Sequence, residues 1–199
     1  MIRVITAAFV KSSPNIGDAL AEGVSEVAFL GRSNVGKSSL LNALVNQKQL
    51  AKSSSTPGKT QLINFFDVLY EDENKERFQA RFVDLPGFGY AKVSKEKKKD
   101  WSENLNAFIK ERLSIRVFVH LIDARHTNLE IDESVNKYIN SILRADQKFL
   151  NIYTKADKLN RKEMDIIQKK DKNAILISTL NKRGIEEANQ KIFDLLFKA

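Results

Sequence analysis

Apolar and polar positions along this chain follow two periods, and they alternate in order. Val24–Leu30 is an apolar-rich run ending in Val27-Ala28-Phe29-Leu30, the length of one buried strand. Ser39–Gln47 follows at helical spacing, with Leu40, Leu41, Leu44 and Val45 on one face. After a loop rich in Ser, Thr, Pro and Gly at Lys48–Thr60, two strand patterns follow at Gln61–Tyr70 and Phe78–Leu85. The polar segment Glu71–Arg77 between them predicts a hairpin, so one strand of the sheet is antiparallel. Lys95–Leu113, Asn128–Arg144, Leu159–Lys170 and Gly184–Phe197 read as helices. They alternate with strands at Ile115–Ile122, Lys148–Tyr153 and Ala174–Ile177. Six strands alternating with helices predict a three-layer α/β fold, a mainly parallel sheet with helices on both faces. Residues 1–22 precede the first of these strands, contain Ser12-Ser13-Pro14-Asn15, and read as an N-terminal extension packed on a single domain of residues 23–199.

Between the first strand and the first helix stands Gly31-Arg32-Ser33-Asn34-Val35-Gly36-Lys37-Ser38. This is G-x-x-x-x-G-K-[ST] in the strand–loop–helix context that gives the motif its chemistry. Glycines at 31 and 36 let backbone N–H groups turn inward onto phosphate oxygens. Lys37 brings positive charge to the β- and γ-phosphates. Ser38 opens the helix, whose positive end favours an anion, and offers a hydroxyl to Mg2+.

Other motifs choose among nucleotides. Asp84-Leu85-Pro86-Gly87 ends a strand, where an aspartate can hold Mg2+ through water and a glycine N–H can face a γ-phosphate. Thr154-Lys155-Ala156-Asp157 follows another strand. A carboxylate there accepts two hydrogen bonds from guanine N1–H and its amino group, and adenine would leave it unpaired. The Lys155 stem can cover the purine face. Ile177-Ser178-Thr179 falls where a backbone N–H would meet guanine O6. In Thr56-Pro57-Gly58-Lys59-Thr60 a threonine can bind Mg2+ and sense the γ-phosphate; Thr60, where the loop enters the strand, is preferred over Thr56.

The chain has 199 residues and no cysteine, which excludes disulfides, thiolate zinc sites and a cysteine nucleophile. No apolar run approaches the about 18 residues of a membrane helix, and the N-terminus lacks signal-peptide architecture. A cytoplasmic protein is expected. A formal charge of +8 favours a polyanionic partner.

The set GRSNVGKS, TPGKTQLINFF, DLPGFGYAK, LIDARH and TKAD resembles the EngB (YihA/YsxC) family of bacterial GTPases, from about residue 8 to the C-terminal helix. Arg125-His126-Thr127-Asn128 departs from the pattern, in which Gly-Pro often follows Arg-His. The resemblance implies a Ras-like sheet of six strands with the second antiparallel. It also implies a GTP-dependent role in assembling the large ribosomal subunit, with consequences for cell division and septum formation. The implied GTP contacts are Gly31 to Ser38; Gly58, Lys59, Thr60, Gln61 and Leu62; Asp84, Leu85, Pro86 and Gly87; Thr154, Lys155, Ala156 and Asp157; and Ile177, Ser178 and Thr179. Catalysis is expected from Lys37, Thr60 and Gly87, with Mg2+ on Ser38 and Thr60.

The residue after Gly87 is Phe88, where Ras-type enzymes carry a water-orienting glutamine. A phenyl ring cannot orient water, so slow intrinsic hydrolysis is expected. Asn34 occupies the position that helps hold K+ in GTPases with a similar loop; it also reads as a loop residue bonding its own backbone. Lys92, Lys95, Lys97, Lys98 and Lys99 follow the switch region and suit RNA phosphates, or else form a solvated helix start. His120 reads as a core residue, and His126 has no visible partner. A metabolic P-loop kinase is disfavoured by T-K-x-D. A regulatory switch acting on a protein target remains the competing reading. The expected partners are GTP or GDP and the large-subunit precursor with its rRNA, with no membrane or DNA, and the chain is expected to be a monomer.

Overall fold

In the computed structural model, residues 2–51, 62–88 and 95–198 are described, with side chains in the helix that begins at Lys95 described from Glu103 onward. The strands are β1 (Arg3–Ser13), β2 (Ser25–Gly31), β3 (Ile63–Glu71), β4 (Arg77–Asp84), β5 (Ile115–Asp123), β6 (Lys148–Thr154) and β7 (Ile175–Leu176). The α-helices are α1 (Lys37–Leu44), α2 (Lys95–Glu111), α3 (Glu130–Ile142), α4 (Arg161–Lys170) and α5 (Ile185–Phe197).

One seven-stranded sheet has the order β1-β3-β4-β2-β5-β6-β7. β2 pairs in parallel with β4 and β5, and β5, β6 and β7 continue in parallel. β3 is antiparallel to β4 and to β1. The sheet therefore has one strand more than the sequence pattern predicts, and two antiparallel pairings. The extra strand is β1, drawn from the segment read as an extension. Its alternation is broken by register shifts between Val4 and Thr6 and between Phe9 and Lys11. As an edge strand it also leaves Phe9 and Val10 exposed, so no clean period marks it in the sequence.

The parallel strands are apolar on both faces because both are covered. On one face, Val117, Val119, Leu121, Leu150, Ile152 and Ile175 meet Leu40, Leu41 and Leu44 of α1 and Ala188, Ile192 and Phe193 of α5. On the other, Ala28, Leu30, Val83 and Phe118 meet Phe108 and Ile109 of α2 and Ile139 of α3. Ile122 and Tyr153 extend that second face to Ile167 of α4. Across the far end of the sheet, buried Glu26 takes two 2.6 Å hydrogen bonds from buried Arg112. All the parallel strands end on one side, so the loops after β2, β4, β5, β6 and β7 gather there.

Candidate nucleotide site

The loop from Gly31 to Ser38 is built as the motif requires. Gly36 takes φ 104°, a left-handed conformation open to glycine, and caps α1 with its carbonyl accepting from Leu40 N at 2.9 Å. Asn34 also turns left-handed, at φ 62°, a conformation asparagine tolerates; that accounts for its residue type without any ion. The loop hangs from the end of β6. Thr154 Oγ1 donates to Val35 O at 2.7 Å, and Lys155 Nζ donates to Asn34 O at 2.8 Å.

Lys37 Nζ forms an ion pair with Asp84 at the end of β4, and both side chains are nearly buried. The β4 loop continues onto the phosphate loop. Phe88 N donates to Gly31 O at 3.2 Å and Ser33 N donates to Phe88 O at 3.3 Å, so Arg32 and Phe88 pair in parallel. Gly87 is the close approach: a Cβ there would lie 3.1 Å from Ser33 Oγ and 3.2 Å from Ser33 N. The Phe88 ring is partly buried and lies 5.8 Å, centroid to centroid, from the fully buried His120 ring. Leu85 is fully buried. Pro86 lies between Leu85 and Gly87 in the same loop.

At the other end, Lys155 takes φ 61° and Ala156 N donates to Ile177 O at 2.9 Å, joining the loops after β6 and β7. Buried Ser178 donates its hydroxyl to Asp157 Oδ1 at 2.7 Å. That hydroxyl also accepts from Leu180 N at 3.2 Å and from Asn181 N at 3.4 Å, so its proton is directed at the carboxylate. The Ser178 hydrogen bond, against some desolvation, holds the Asp157 carboxyl below its ordinary range. Thr179 is exposed beside it.

Two further carboxylates, one at this end and one behind the phosphate loop, carry no motif that marks them in the sequence. Asp123, at the end of β5, accepts from Arg125 Nε at 2.9 Å and Nη2 at 2.8 Å, and from Lys155 Nζ at 2.8 Å. Burial pushes its carboxyl up, but those hydrogen bonds and the Lys155 charge outweigh it and hold the carboxyl well below the ordinary range. Its signal in the sequence is its place, an aspartate at the end of an apolar strand. Asp132 in α3 is 1% exposed and pairs with Arg32 Nε at 3.1 Å. Nothing local in the sequence connects the two.

The structure thus brings together the residues of the phosphate loop, Asp84 to Gly87, Thr154 to Asp157 and Ile177 to Thr179. Leu62 precedes β3 and is half exposed. Thr56, Gly58, Lys59, Thr60 and Gln61 lie outside the described residues, as does Lys92; Lys95, Lys97, Lys98 and Lys99 are described only as backbone of α2. Among the described residues no cluster of three His, Cys, Asp or Glu can hold a metal, and no helix is long and apolar enough to cross a membrane.

A family profile described as "50S ribosome-binding GTPase" matches residues 26–155. With it, the mixed sheet and the loop on β2 define a P-loop GTPase. The chain is 54% identical over 191 residues to a probable GTP-binding protein EngB of Campylobacter jejuni, covering 96% of each chain. A crystal structure of a probable GTP-binding protein engB superimposes with TM-score 0.65 at 23% identity, over 88% of this chain and 100% of that one. Era, in complex with MgGDPNP and a segment of 16S ribosomal RNA, superimposes with TM-score 0.60 at 26% identity, over 88% of this chain and 58% of that one. The chain belongs to the EngB family of GTP-binding proteins.

Proposed function

We propose that this protein is a cytoplasmic GTP-operated switch with slow hydrolysis that acts in assembly of the large ribosomal subunit, on which normal division and septation depend. The observation that carries the guanine reading is the Ser178–Asp157 hydrogen bond of 2.7 Å. It orients a carboxylate at the end of β6, on the same side of the sheet as the phosphate loop. Two donors on guanine satisfy that carboxylate, whereas adenine would leave it unpaired at a cost of about 1–3 kcal/mol or more. The ribosomal part of the reading rests on family membership and the net charge of +8.

The backbone of Gly31 to Ser38 would cradle the phosphates, and Lys37 would leave Asp84 to meet the β- and γ-oxygens. Lys155 would cover the base. Ser38 and Thr60 would hold Mg2+, with Asp84 acting through water. One serine hydroxyl, one threonine and one carboxylate suit an ion that keeps waters and takes its remaining ligands from phosphate. Bound there, Mg2+ supplies charge that neutralises the phosphoryl oxygens. Gly87 N–H would report the γ-phosphate. Phe88, seated against His120, offers no hydrogen bond to an attacking water, which accounts for slow turnover. K+ beside Asn34 would add charge.

The test is nucleotide competition followed by sedimentation with large-subunit precursors. GTP and GDP should displace a labelled guanine nucleotide and ATP should not. Particle binding should depend on whether GDP or a non-hydrolysable GTP analogue is present. Equal displacement by ATP would overturn the guanine reading. Binding to no ribosomal particle in either state would overturn the assembly reading and favour a protein target.

A further inference from the structure

The last residues of β5 and β6, Asp123 and Thr154, lie side by side in the sheet. Lys155 follows and turns left-handed, at φ 61° and ψ 32°, a conformation that a lysine adopts only when its surroundings impose it. Its side chain is held at the far end. Nζ donates to Asn34 O at 2.8 Å and to Asp123 Oδ2 at 2.8 Å. One acceptor belongs to the phosphate loop and the other to the sheet, so the ammonium bridges the two. About a third of the side chain, 32%, stays exposed.

Asp123 is itself fixed. Its side chain is nearly buried. Oδ1 accepts from Arg125 N at 3.1 Å and from Arg125 Nε at 2.9 Å, and Oδ2 accepts from Arg125 Nη2 at 2.8 Å. A guanidinium fork sets the plane of a carboxylate as well as pairing its charge. Oδ2 therefore meets Lys155 from a fixed direction. A lysine stem tethered at its head has little rotamer freedom left to lose when a flat ring packs on it. The other carboxylate at this end is supported separately. Asp157 Oδ1 accepts from Ser178 Oγ, and Ala156 N donates to Ile177 O. Those bonds involve neither Asp123 nor the side chain of Lys155.

We propose that Asp123 is a positioning residue for nucleotide binding. Through Lys155 Nζ it fixes the lysine stem as the ledge on which the purine face lies, and it ties that ledge to the phosphate loop. Asp157 reads the base edge independently. Arg125 acts one step further out, by orienting Asp123. The proposal rests on the guanine reading above, in which Lys155 covers the base.

The experiment measures GDP and inosine diphosphate affinities of the full chain, by displacement of fluorescent GDP, together with GDP dissociation rates. Inosine diphosphate presents the same ring face but lacks the 2-amino group at the edge. The variants are Asp123→Asn, Asp123→Ala, Arg125→Gln and Lys155→Met, the last keeping an unbranched stem without the ammonium, and the first three again in the Lys155→Met background. Asp123→Asn should lower affinity for both nucleotides by the same factor, about ten-fold, because a charged hydrogen bond is lost. The loss should appear mainly as faster dissociation. Asp123→Ala should lose at least as much. Arg125→Gln should lose less, since Arg125 N still bonds Oδ1. In the Lys155→Met background none of the three should lower affinity further, because the shared partner is gone. A residue that served only the stability of the fold would weaken binding equally in both backgrounds.

Wild-type affinity in Asp123→Ala, or the same loss with and without Lys155→Met, would overturn the positioning role and leave the guanine reading intact. A loss larger for GDP than for inosine diphosphate would assign Asp123 to the base edge and overturn the ledge. Should the Asp123 variants fail to fold, Arg125→Gln carries the test: a loss that vanishes with Lys155→Met supports the proposal, and one that persists, or no loss, overturns it. Wild type binding ADP as tightly as GDP would overturn the guanine reading itself.

Discussion

Arg32 Nε lies 3.1 Å from Asp132 Oδ2, so a residue of the phosphate loop is tied to the interior side of α3 by an ion pair whose acidic member is buried. His120 Nε2 lies 3.6 Å from the other oxygen of Asp132, and its ring meets Phe88. The phosphate loop, the segment after Gly87 and α3 therefore converge on one buried polar group. Removing one partner of such a pair leaves the other charge without compensation. Asp132→Ala should destabilise the protein by about 3 kcal/mol. Thermal unfolding should show a midpoint lower by on the order of 10 °C; an unchanged midpoint would refute the role.

Ser178→Ala should lower affinity for GTP and GDP alike by about ten-fold, because Asp157 loses the hydroxyl that orients it. Asp157→Asn should lower guanine affinity much further and favour xanthine nucleotides, whose 2-oxo group accepts from an amide. Equilibrium binding with fluorescent GDP and XDP would measure both. Ser178→Ala binding GDP as tightly as wild type would show that Asp157 needs no such support.

Hydrolysis should fall by about a hundred-fold in Lys37→Ala, which removes a charge aimed at the transferring group. Ser38→Ala and Thr60→Ala should each require more Mg2+ for half-maximal turnover. Single-turnover rates in KCl and NaCl test the K+ reading. Equal rates in the two salts, with and without ribosomal particles, would remove K+ from the mechanism and leave Lys37 in place.

Gly87→Ala would put a methyl group 3.1 Å from Ser33 Oγ and 3.2 Å from Ser33 N, tighter than ordinary packing. The two loops must then part. GDP affinity should change little while discrimination between GDP and a GTP analogue falls. Preserved discrimination would place the γ-phosphate sensor elsewhere.

The pH dependence has a definite sign. Asp123, Asp157, Glu22 and Glu71 all have folded carboxyls held below their ordinary values. Their stabilisation is complete above the unfolded values of about 4 and is lost as pH falls through the lower folded values. Urea midpoints should be flat from neutral pH to about 5 and decline below about 4. Asp123→Asn should shrink that decline, and an acid limb identical to wild type would count against Asp123 as a contributor.

The strands of the parallel half were legible because both their faces are covered, which leaves continuous apolar runs such as Val27 to Leu30. The phosphate loop, Asp84 to Gly87 and Thr154 to Asp157 were legible because each joins a fixed backbone task to a few residue types. β1 was not, since an edge strand with two irregularities keeps no period. The Asp132–Arg32 pair and the clamp of Asp123 on Arg125 and Lys155 depend on strand order, which no local pattern records. In the sequence Phe88 shows only that a glutamine is missing; its seat against His120 becomes visible only once β4 and β5 flank β2.

The placement of β1 also bears on how the chain folds as it is made. Arg3 pairs with Glu71 and Ser13 with Ile63, so β1, made before β3, lacks this partner until β3 has emerged. During that interval β2 and α1 can already pack together while β1 stays open to other chains. Its bulges and Lys11 then act as guards against intermolecular pairing before they serve as an edge of the finished sheet. Straightening β1 by deleting a bulge residue should therefore raise aggregation during synthesis more than it lowers the stability of the folded protein.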